Sequence, residues 1–406
     1  MPHVLAFDVS MGKSYFVIYA SQKSCLSEGE IRHQRLDFDK LYEMIAHLIK
    51  EAGSYPEIVF EATGVYSAQL ERFMNDHGFP YTLLSPLESK LQMAGMRIHK
   101  TDKSDAHQIT RTHFTAERRI KSSQDSYFEE MRALSRYYAE LGEDLSILRN
   151  RIHAMVQLSF PELEALYKTK SELYYQLLLQ YPHPFFVLAQ SKTVLRNRIL
   201  KSTDQNMSGK KAEERASDLM EAANACYPAI SETDPRLDQL RDYTKRYLEL
   251  VHQKEAVIKK MVNLSEERNE YRILTSIPGI GETTAARLIA EIGDINRFDN
   301  HKQLNAYAGI DIRRFESGTL FYKDKINKRG NKELRKILFN MVQNMIKMRR
   351  FGGNHFVEYY DRLKTQPYNK CYKVASIACV NQFLKVAFHL ITHKLAYNYE
   401  TASTCL

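Results

Sequence analysis

The chain has 406 residues, enough for two or three domains at about 150 residues each and far too long for a short stapled peptide. Lysine and arginine total 58 against 49 acids, a net charge of +9 that favours a polyanionic partner. The five cysteines, Cys25, Cys226, Cys371, Cys379 and Cys405, form no C-x-x-C pair. That pattern argues against a disulfide framework and against zinc, and fits a reducing cytosol.

Residues 4–10 (VLAFDVS) and 15–20 (YFVIYA) are short runs rich in β-branched and aromatic residues, separated by a Gly-containing turn, and predict a β-hairpin. A weaker strand is expected near Ile31 to Leu36, a helix from about Phe38 to Ala52, and a strand at 57–63 (EIVFEAT). A helix over Ser67 to His77, a strand at Tyr81 to Leu84 and a helix over Ser104 to Thr115, capped by Thr101 or Asp102, complete an α/β domain over residues 1–124.

The texture then changes. Leu134, Tyr138, Leu141, Leu145, Leu148, Ile152 and Met155 alternate spacings of four and three, as do Leu240, Tyr243, Tyr247, Leu250, Val257, Met261 and Leu264. Two long helices follow, able to pair with each other or between subunits as a coiled coil over 125–268. Between them, the polar stretch 190–216, with Lys192, Arg196, Arg198 and Lys201 among its cations, reads as a loop or arm ordered on binding. Residues 269–406 form a third, helical domain broken at Pro278 to Gly281, Ser317-Gly318, Gly330 and Gly352-Gly353. The strongest apolar run, Val374 to Leu384, lies between Lys373 and Lys385 and falls short of the ~20 residues of a membrane span. The N-terminus lacks the pattern of a signal peptide.

Asp8 interrupts an otherwise apolar strand, and Glu61 repeats the arrangement in I-V-F-E-A. A buried carboxylate without a cation or metal costs several kcal/mol. Asp102 and Asp105, three apart at a helix start, project from one face. Four oxygen donors suit a hard cation such as Mg²⁺ that retains waters for a substrate phosphate. Each acid also has a plainer reading: Asp8 turned outward at an edge, Glu61 paired with a lysine, Asp102 capping a helix.

In the third domain, L-T-S-I-P-G-I-G-E-T-T-A-A-R places Gly279 and Gly281 before a helix, where bare backbone N–H groups can meet a phosphate. A stabilised helical corner is the competing reading. Downstream, Ser317 stands before Gly318 in a segment, Arg313 to Lys336, with nine cations and three acids. A serine there is a turn residue unless something activates it.

The order F-D-V-S, F-E-A-T-G-V-Y and K-T-D-K-S-D-A-H resembles the DEDD tetrad of the RuvC-like, ribonuclease-H-like domain in the insertion-sequence one-hundred-ten family of transposases, which includes Piv-type DNA invertases. The turn P-G-I-G resembles a helix-hairpin-helix. Y-A-G, a basic pair, S-G and K-R-G-N are similar to the family's C-terminal transposase domain, with Asn327 where the family more often has serine. The resemblance implies that Asp8, Glu61, Asp102 and Asp105 bind Mg²⁺, or Mn²⁺ in its place, and that Ser317 is the nucleophile. It implies a transposase acting through a covalent phosphoserine, assembled as a dimer or tetramer in a prokaryotic cytosol, away from membranes. A structured non-coding guide RNA and DNA would be its partners. Lys100, Lys103, Arg111, Gly279, Gly281, Arg313, Arg314, Lys328 and Arg329 are the expected nucleic-acid contacts. A junction nuclease or Piv-like invertase on the same acids, and a non-enzymatic basic scaffold, are the rivals.

Overall fold

In a computed structural model, the chain forms two compact units, Met1–Ser123 and Gln124–Leu406. The structure describes residues 3–21, 24–84, 101–114, 125–167, 171–203, 206–313, 316–317, 320–321 and 325–402. Lys100 and Arg314, two of the expected nucleic-acid contacts, lie outside the described residues.

The first unit is a five-stranded sheet with helices on both faces. Strand β1 (Val4–Ser10) turns into β2 (Lys13–Ser21) through Met11-Gly12, where Gly12 takes a φ of 73°, the left-handed geometry that a tight hairpin turn needs. Strand β3 (Ser24–Arg32) pairs antiparallel with β2. Helix α1 (Arg35–Ala52) crosses over to β4 (Glu57–Glu61), which is parallel to β1, and α2 (Ala68–Asp76) leads to β5 (Tyr81–Leu84), parallel to β4. The sheet order is therefore β3-β2-β1-β4-β5. Helix α3 (Asp102–His113) closes the unit.

Period-two alternation divides the central strands between two cores. Leu5, Phe7, Ile58 and Phe60 pack beneath Leu41 and Ile45 of α1 and Leu70 and Met74 of α2. Val4, Ala6 and Val59 face the other way, against Ala106 and Ile109 of α3. The third strand corrects the expectation of Ile31 to Leu36. It lies at the sheet edge, so most of S-C-L-S-E-G-E is exposed and lacks the apolar alternation by which a strand is recognised. Helix α1 consequently starts at Arg35. Helix α3 is capped by Thr101, in a reciprocal capping box with Ser104, and Asp102 is its first helical residue.

The second unit is helical. Helices α4 (Ser126–Ser159) and α10 (Arg236–Ser265) run antiparallel. Tyr127 bonds Ser265 at 3.1 Å, Lys260 bonds Glu130 at 2.7 Å, and Arg149 donates to the Tyr247 hydroxyl at 3.1 Å. The seam that the sequence offered equally to a second subunit is thus filled from within the chain. Between them lie α5 (Glu162–Leu166), α6 (Glu172–Gln180), α7 (Pro184–Leu188), α8 (Lys192–Lys201) and α9 (Gly209–Ala225). The stretch 190–216 is thereby corrected from a loop or arm to all of α8 and the first part of α9. Leu195, Ile199, Ala212 and Ala216 form sparse apolar stripes that bury fully, with the cations on the other faces.

The rest comprises α11 (Asn269–Thr275), α12 (Glu282–Ile292), a 3₁₀ turn at Ile295–Arg297, α13 (His301–Ala308), four two-residue strands, α14 (Lys332–Lys347), α15 (His355–Lys364), α16 (Tyr372–Thr392) and the short α17 (Tyr399–Ala402). The apolar run expected at Val374 to Leu384 is part of the 21-residue α16, long and apolar enough by composition to cross a membrane. Half of its apolar window is buried, with Ala375, Cys379, Val380, Phe383 and Leu384 inside the core.

The turn before α14 docks on the end of α13. Lys328 N–H donates to the Gly309 carbonyl at 2.9 Å and Asn331 N–H to that of Tyr307 at 2.7 Å. A Cβ on Gly330 would sit 2.5 Å from the Tyr307 carbonyl oxygen and 2.6 Å from the Gly309 nitrogen. These are backbone atoms that cannot swing aside. Gly330→Ala should therefore destabilise the chain by about 1–3 kcal/mol, read as a lowered urea midpoint with an unchanged slope.

Candidate active site

Strands β1 and β4 are in parallel register, with Val4 opposite Glu57 and Phe7 opposite Phe60. Asp8 and Glu61 are the next residues on each strand, so they stand side by side at the carboxyl ends. Alternation puts both on the face of Ala6 and Val59, the face covered by α3. Both are partly exposed, as befits strand ends opening toward solvent.

Helix α3 runs antiparallel to β1. Its last turn is tied to the start of β4 by His113 Nε2 and Glu57 Oε2, 2.8 Å apart. Its first turn lies toward the β1–β2 hairpin: Lys13 is held above its ordinary pKa mainly by a hydrogen bond and charge from Glu30, with a smaller contribution from the charge of Asp102. Asp102 and Asp105 share the helical stripe of Ala106 and Ile109, which are buried against the sheet. The fold thus brings Asp8, Glu61, Asp102 and Asp105 to one end of the sheet. An all-carboxylate set of this kind suits a hard divalent cation. Among the described residues, the only set of three or more metal-ligating groups with donor atoms within 4.8 Å of one another is a different one, Cys25, Glu28 and His107.

The cations beside the acids are partly engaged. Lys103 is ion-paired with Glu28 of β3, so its charge is directed to the sheet edge. Arg111 is exposed and close enough to the Tyr19 hydroxyl to oppose the upward shift that burial gives that phenol.

In the second unit, β6 (Ile312–Arg313) pairs antiparallel with β9 (Lys325–Ile326), and β7 (Glu316–Ser317) with β8 (Leu320–Phe321). Each pair is a separate two-stranded ladder, and Ser317 pairs with Leu320 in the second. Arg313, Lys328 and Arg329 are exposed. Lys328 has a φ of 59°, a left-handed conformation unusual for a lysine and maintained by its bond to Gly309. Asn327 donates from Nδ2 to Asp311 Oδ2 at 3.1 Å. Arg329 lines a cavity of about 810 Å³ with Arg136, Glu140, Glu143 and Lys332.

The two glycines before α12 differ. A Cβ on Gly279, whose φ is 90°, would lie 2.9 Å from Met345 Cα, so its lack of a side chain serves packing against α14. Gly281 is the N-cap of α12, without a side-chain cap bond, and its Cβ position is open.

The sequence patterns missed Glu291, fully buried in α12. Asn331 Nδ2 donates to its Oε2 at 2.7 Å, and the Tyr307 hydroxyl donates to its main-chain carbonyl at 3.0 Å. Its other oxygen is buried without a hydrogen bond, 4.0 Å from Arg136 Nε. The readable signal was Asn331, which also caps α14 through Glu333 N and Leu334 N.

The chain thus joins an α/β unit with acids at one sheet end to a helical unit with exposed cations at Arg313, Lys328 and Arg329. Comparison with known proteins identifies its family. Residues 5–161 match a transposase family model of the DEDD type, and residues 271–361 match the model described as Transposase IS116/IS110/IS902 family. Together these stretches cover more than half of the chain, which belongs to the IS110 family of insertion-sequence transposases. It is 32% identical over 157 residues to the pilin gene-inverting protein of Moraxella lacunata, covering 38% of this chain and 46% of that one. It is 25% identical over 245 residues to an uncharacterised protein of insertion element IS110 from Streptomyces coelicolor, 59% of each chain. It is also 31% identical over 104 residues to the IS1111A transposase of Coxiella burnetii, 25% of this chain and 29% of that one. The chain matches between 29% and 59% of the length of these curated relatives.

Glu28 is held below the ordinary carboxylate pKa first by its hydrogen bond to Lys103 and further by His107. A lowered folded-state pKa stabilises the fold above the unfolded value, and that stabilisation is lost as pH falls through the folded one. In chelator-treated buffer, Glu28→Gln should melt below wild type at neutral pH, with the gap closing below about pH 4. A gap constant across that range would show that the pair contributes nothing to stability.

Proposed function

We propose that this chain is the transposase of an insertion element and breaks and rejoins DNA through a covalent phosphoserine intermediate. The observation that carries the reading is that β1, β4 and the first turn of α3 carry Asp8, Glu61, Asp102 and Asp105 toward one end of a sheet ordered β3-β2-β1-β4-β5, an arrangement that supports a RuvC-like, ribonuclease-H-like domain. We divide the chain into this domain (1–124), a helical region built on the antiparallel, coiled-coil-like pair (125–268), and a serine transposase domain with a helix-hairpin-helix at α11 and α12 (269–406).

The four acids would hold Mg²⁺, or Mn²⁺ in its place; the bound ion supplies positive charge that polarises a phosphodiester. The Ser317 hydroxyl attacks phosphorus, forming a serine–phosphate bond as one phosphorus–oxygen bond of the DNA backbone breaks. The serine proton passes to a base and the leaving sugar oxygen ends as a hydroxyl. A hydroxyl from another DNA end then displaces the serine, so phosphodiester energy is conserved. In a dimer or tetramer, the serine of one chain meets the acids of another.

Arg111, Arg313, Lys328 and Arg329 present exposed positive charge to nucleic acid, joined by the backbone at Gly281. Lys100 and Arg314 belong to the same proposal, with Lys103 contributing once released from Glu28. A guide RNA that pairs with donor and target DNA would take over base reading, leaving the protein to recognise backbone and shape. Similarity to a pilin gene-inverting protein favours DNA inversion as a second reading with the same chemistry.

The deciding experiment incubates the chain with Mg²⁺, element DNA and RNA transcribed from the element's flanks, then resolves protein–DNA adducts on a denaturing gel. Wild type should form an adduct, and Ser317→Ala should form none. Glu61→Gln should remove the divalent-dependent product while circular dichroism stays unchanged. An adduct in Ser317→Ala would place the nucleophile elsewhere, and recovery of only inverted products would select the second reading.

Loss of phosphate contacts reduces counterion release. Lys328→Ala with Arg329→Ala should therefore flatten the dependence of log affinity on log salt by about two. An unaltered slope would remove both residues from the nucleic-acid surface.

A further inference from the structure

Strand β3 forms the outer edge of the sheet and carries no motif, yet it contributes to the tightest cluster of metal-ligating groups among the described residues. The donor atoms of Cys25, Glu28 and His107 all lie within 4.8 Å of one another. Cys25 and Glu28 are three apart on one strand, and strict alternation would send them to opposite faces. The register explains why they share one. Val17 pairs with Glu28, Ile18 with Ser27 and Tyr19 with Cys25, so Leu26 is an extra residue that bulges the strand. Val17 and Tyr19 both belong to the face beneath α3. The bulge therefore turns Cys25 to the side of Glu28, where α3 brings His107.

The three side chains are already oriented. His107 Nε2 lies 2.8 Å from Glu28 Oε2, and Nδ1 lies 2.7 Å from the Tyr19 hydroxyl. Lys103 holds the other Glu28 oxygen, which leaves Oε2 directed into the cluster. The Cys25 thiol makes a 3.6 Å contact to the Ser27 carbonyl.

We propose that Cys25, Glu28 and His107 form a binding site for a zinc-type divalent cation, which clamps β3 to α3 and is separate from the carboxylate set. Sulfur, imidazole and carboxylate together match the donor preference of zinc and mismatch that of Mg²⁺, which demands oxygen. Tetrahedral bonds of about 2.0–2.3 Å need donors roughly 3.5 Å apart. Glu28 and His107, hydrogen-bonded at 2.8 Å, need only part slightly to admit the ion, and Cys25 stands on an exposed strand end where its side chain can close the remainder. Water completes the fourth position.

On binding, the Cys25 thiol gives up its proton to solvent and a metal–sulfur bond forms. The His107 ring places its proton on Nδ1, donated to the Tyr19 oxygen, so that the Nε2 lone pair is free for the metal. Acid opposes both changes, so affinity falls as pH is lowered. Cysteine spacing does not report on such a site, because two of the three ligands are not cysteines and a bulge and a distant helix assemble them. This reading is independent of the strand-transfer chemistry and fails separately from it.

The test uses the full chain, stripped with chelator and titrated with Co²⁺ alone. The expected result is a thiolate-to-cobalt charge-transfer absorption that saturates at one equivalent and is displaced by Zn²⁺. Cys25→Ser, a change at an exposed position, should abolish the band while circular dichroism is unaltered. Tyr19→Phe, which keeps all three ligands, should weaken Co²⁺ affinity about tenfold or more. Glu61→Gln should leave the band intact. A wild-type chain without the band, a band that survives Cys25→Ser, or one that disappears with Glu61→Gln would overturn the proposal.

Discussion

The parallel pairing of β1 with β4 is the constraint on which the first unit depends. Two strands buried on both faces have room for a carboxylate only where they run out toward solvent, and their common register puts both such ends at one level. Helix α3 must then cover the remaining apolar face with Ala106 and Ile109. Running antiparallel to β1, it delivers its acidic first turn to that same end. Packing of a few small and branched side chains thus decides where four charges lie.

The second unit obeys a different rule. Its motifs are largely each other's partners: the residues of Y-A-G receive the N–H groups of K-R-G-N, and Gly330 is small because backbone lies against it. Two of the cations are likewise engaged internally. Arg297 lies over the rings of Phe298 and Tyr307 and donates to the Ile292 carbonyl, and Arg335 donates to that of Ala308. These two are fixed by packing, whereas Arg313, Lys325, Lys328, Arg329, Lys332 and Lys336 stay exposed.

Legibility followed burial. The hairpin, β4, α2, β5 and the two long helices were readable because their apolar residues recur with a period of two or near 3.5. Strand β3 was misplaced because an edge strand needs few apolar residues, and α8 and α9 were read as a loop because two aliphatic residues in one and an alanine stripe in the other, set among cations, carry little hydrophobic signal. Of the acids, Asp8 and Glu61 stood out by interrupting apolar strands. Glu28 and Glu291 did not, since one sits in a polar run and the other in an ordinary amphipathic helix.

Sequence alone determined which residue types stand at strand ends and helix starts, and through them the family resemblance, because local pattern and spacing are properties of the chain itself. Only tertiary structure decided that the two heptad helices pair within one chain, that Gly279 serves packing against Met345, and that Lys103 turns to Glu28. It also decided that Cys25, Glu28 and His107 converge. Each of these depends on register, a bulge or the direction of a crossing helix, and contacts between residues distant in sequence leave no periodic trace in it.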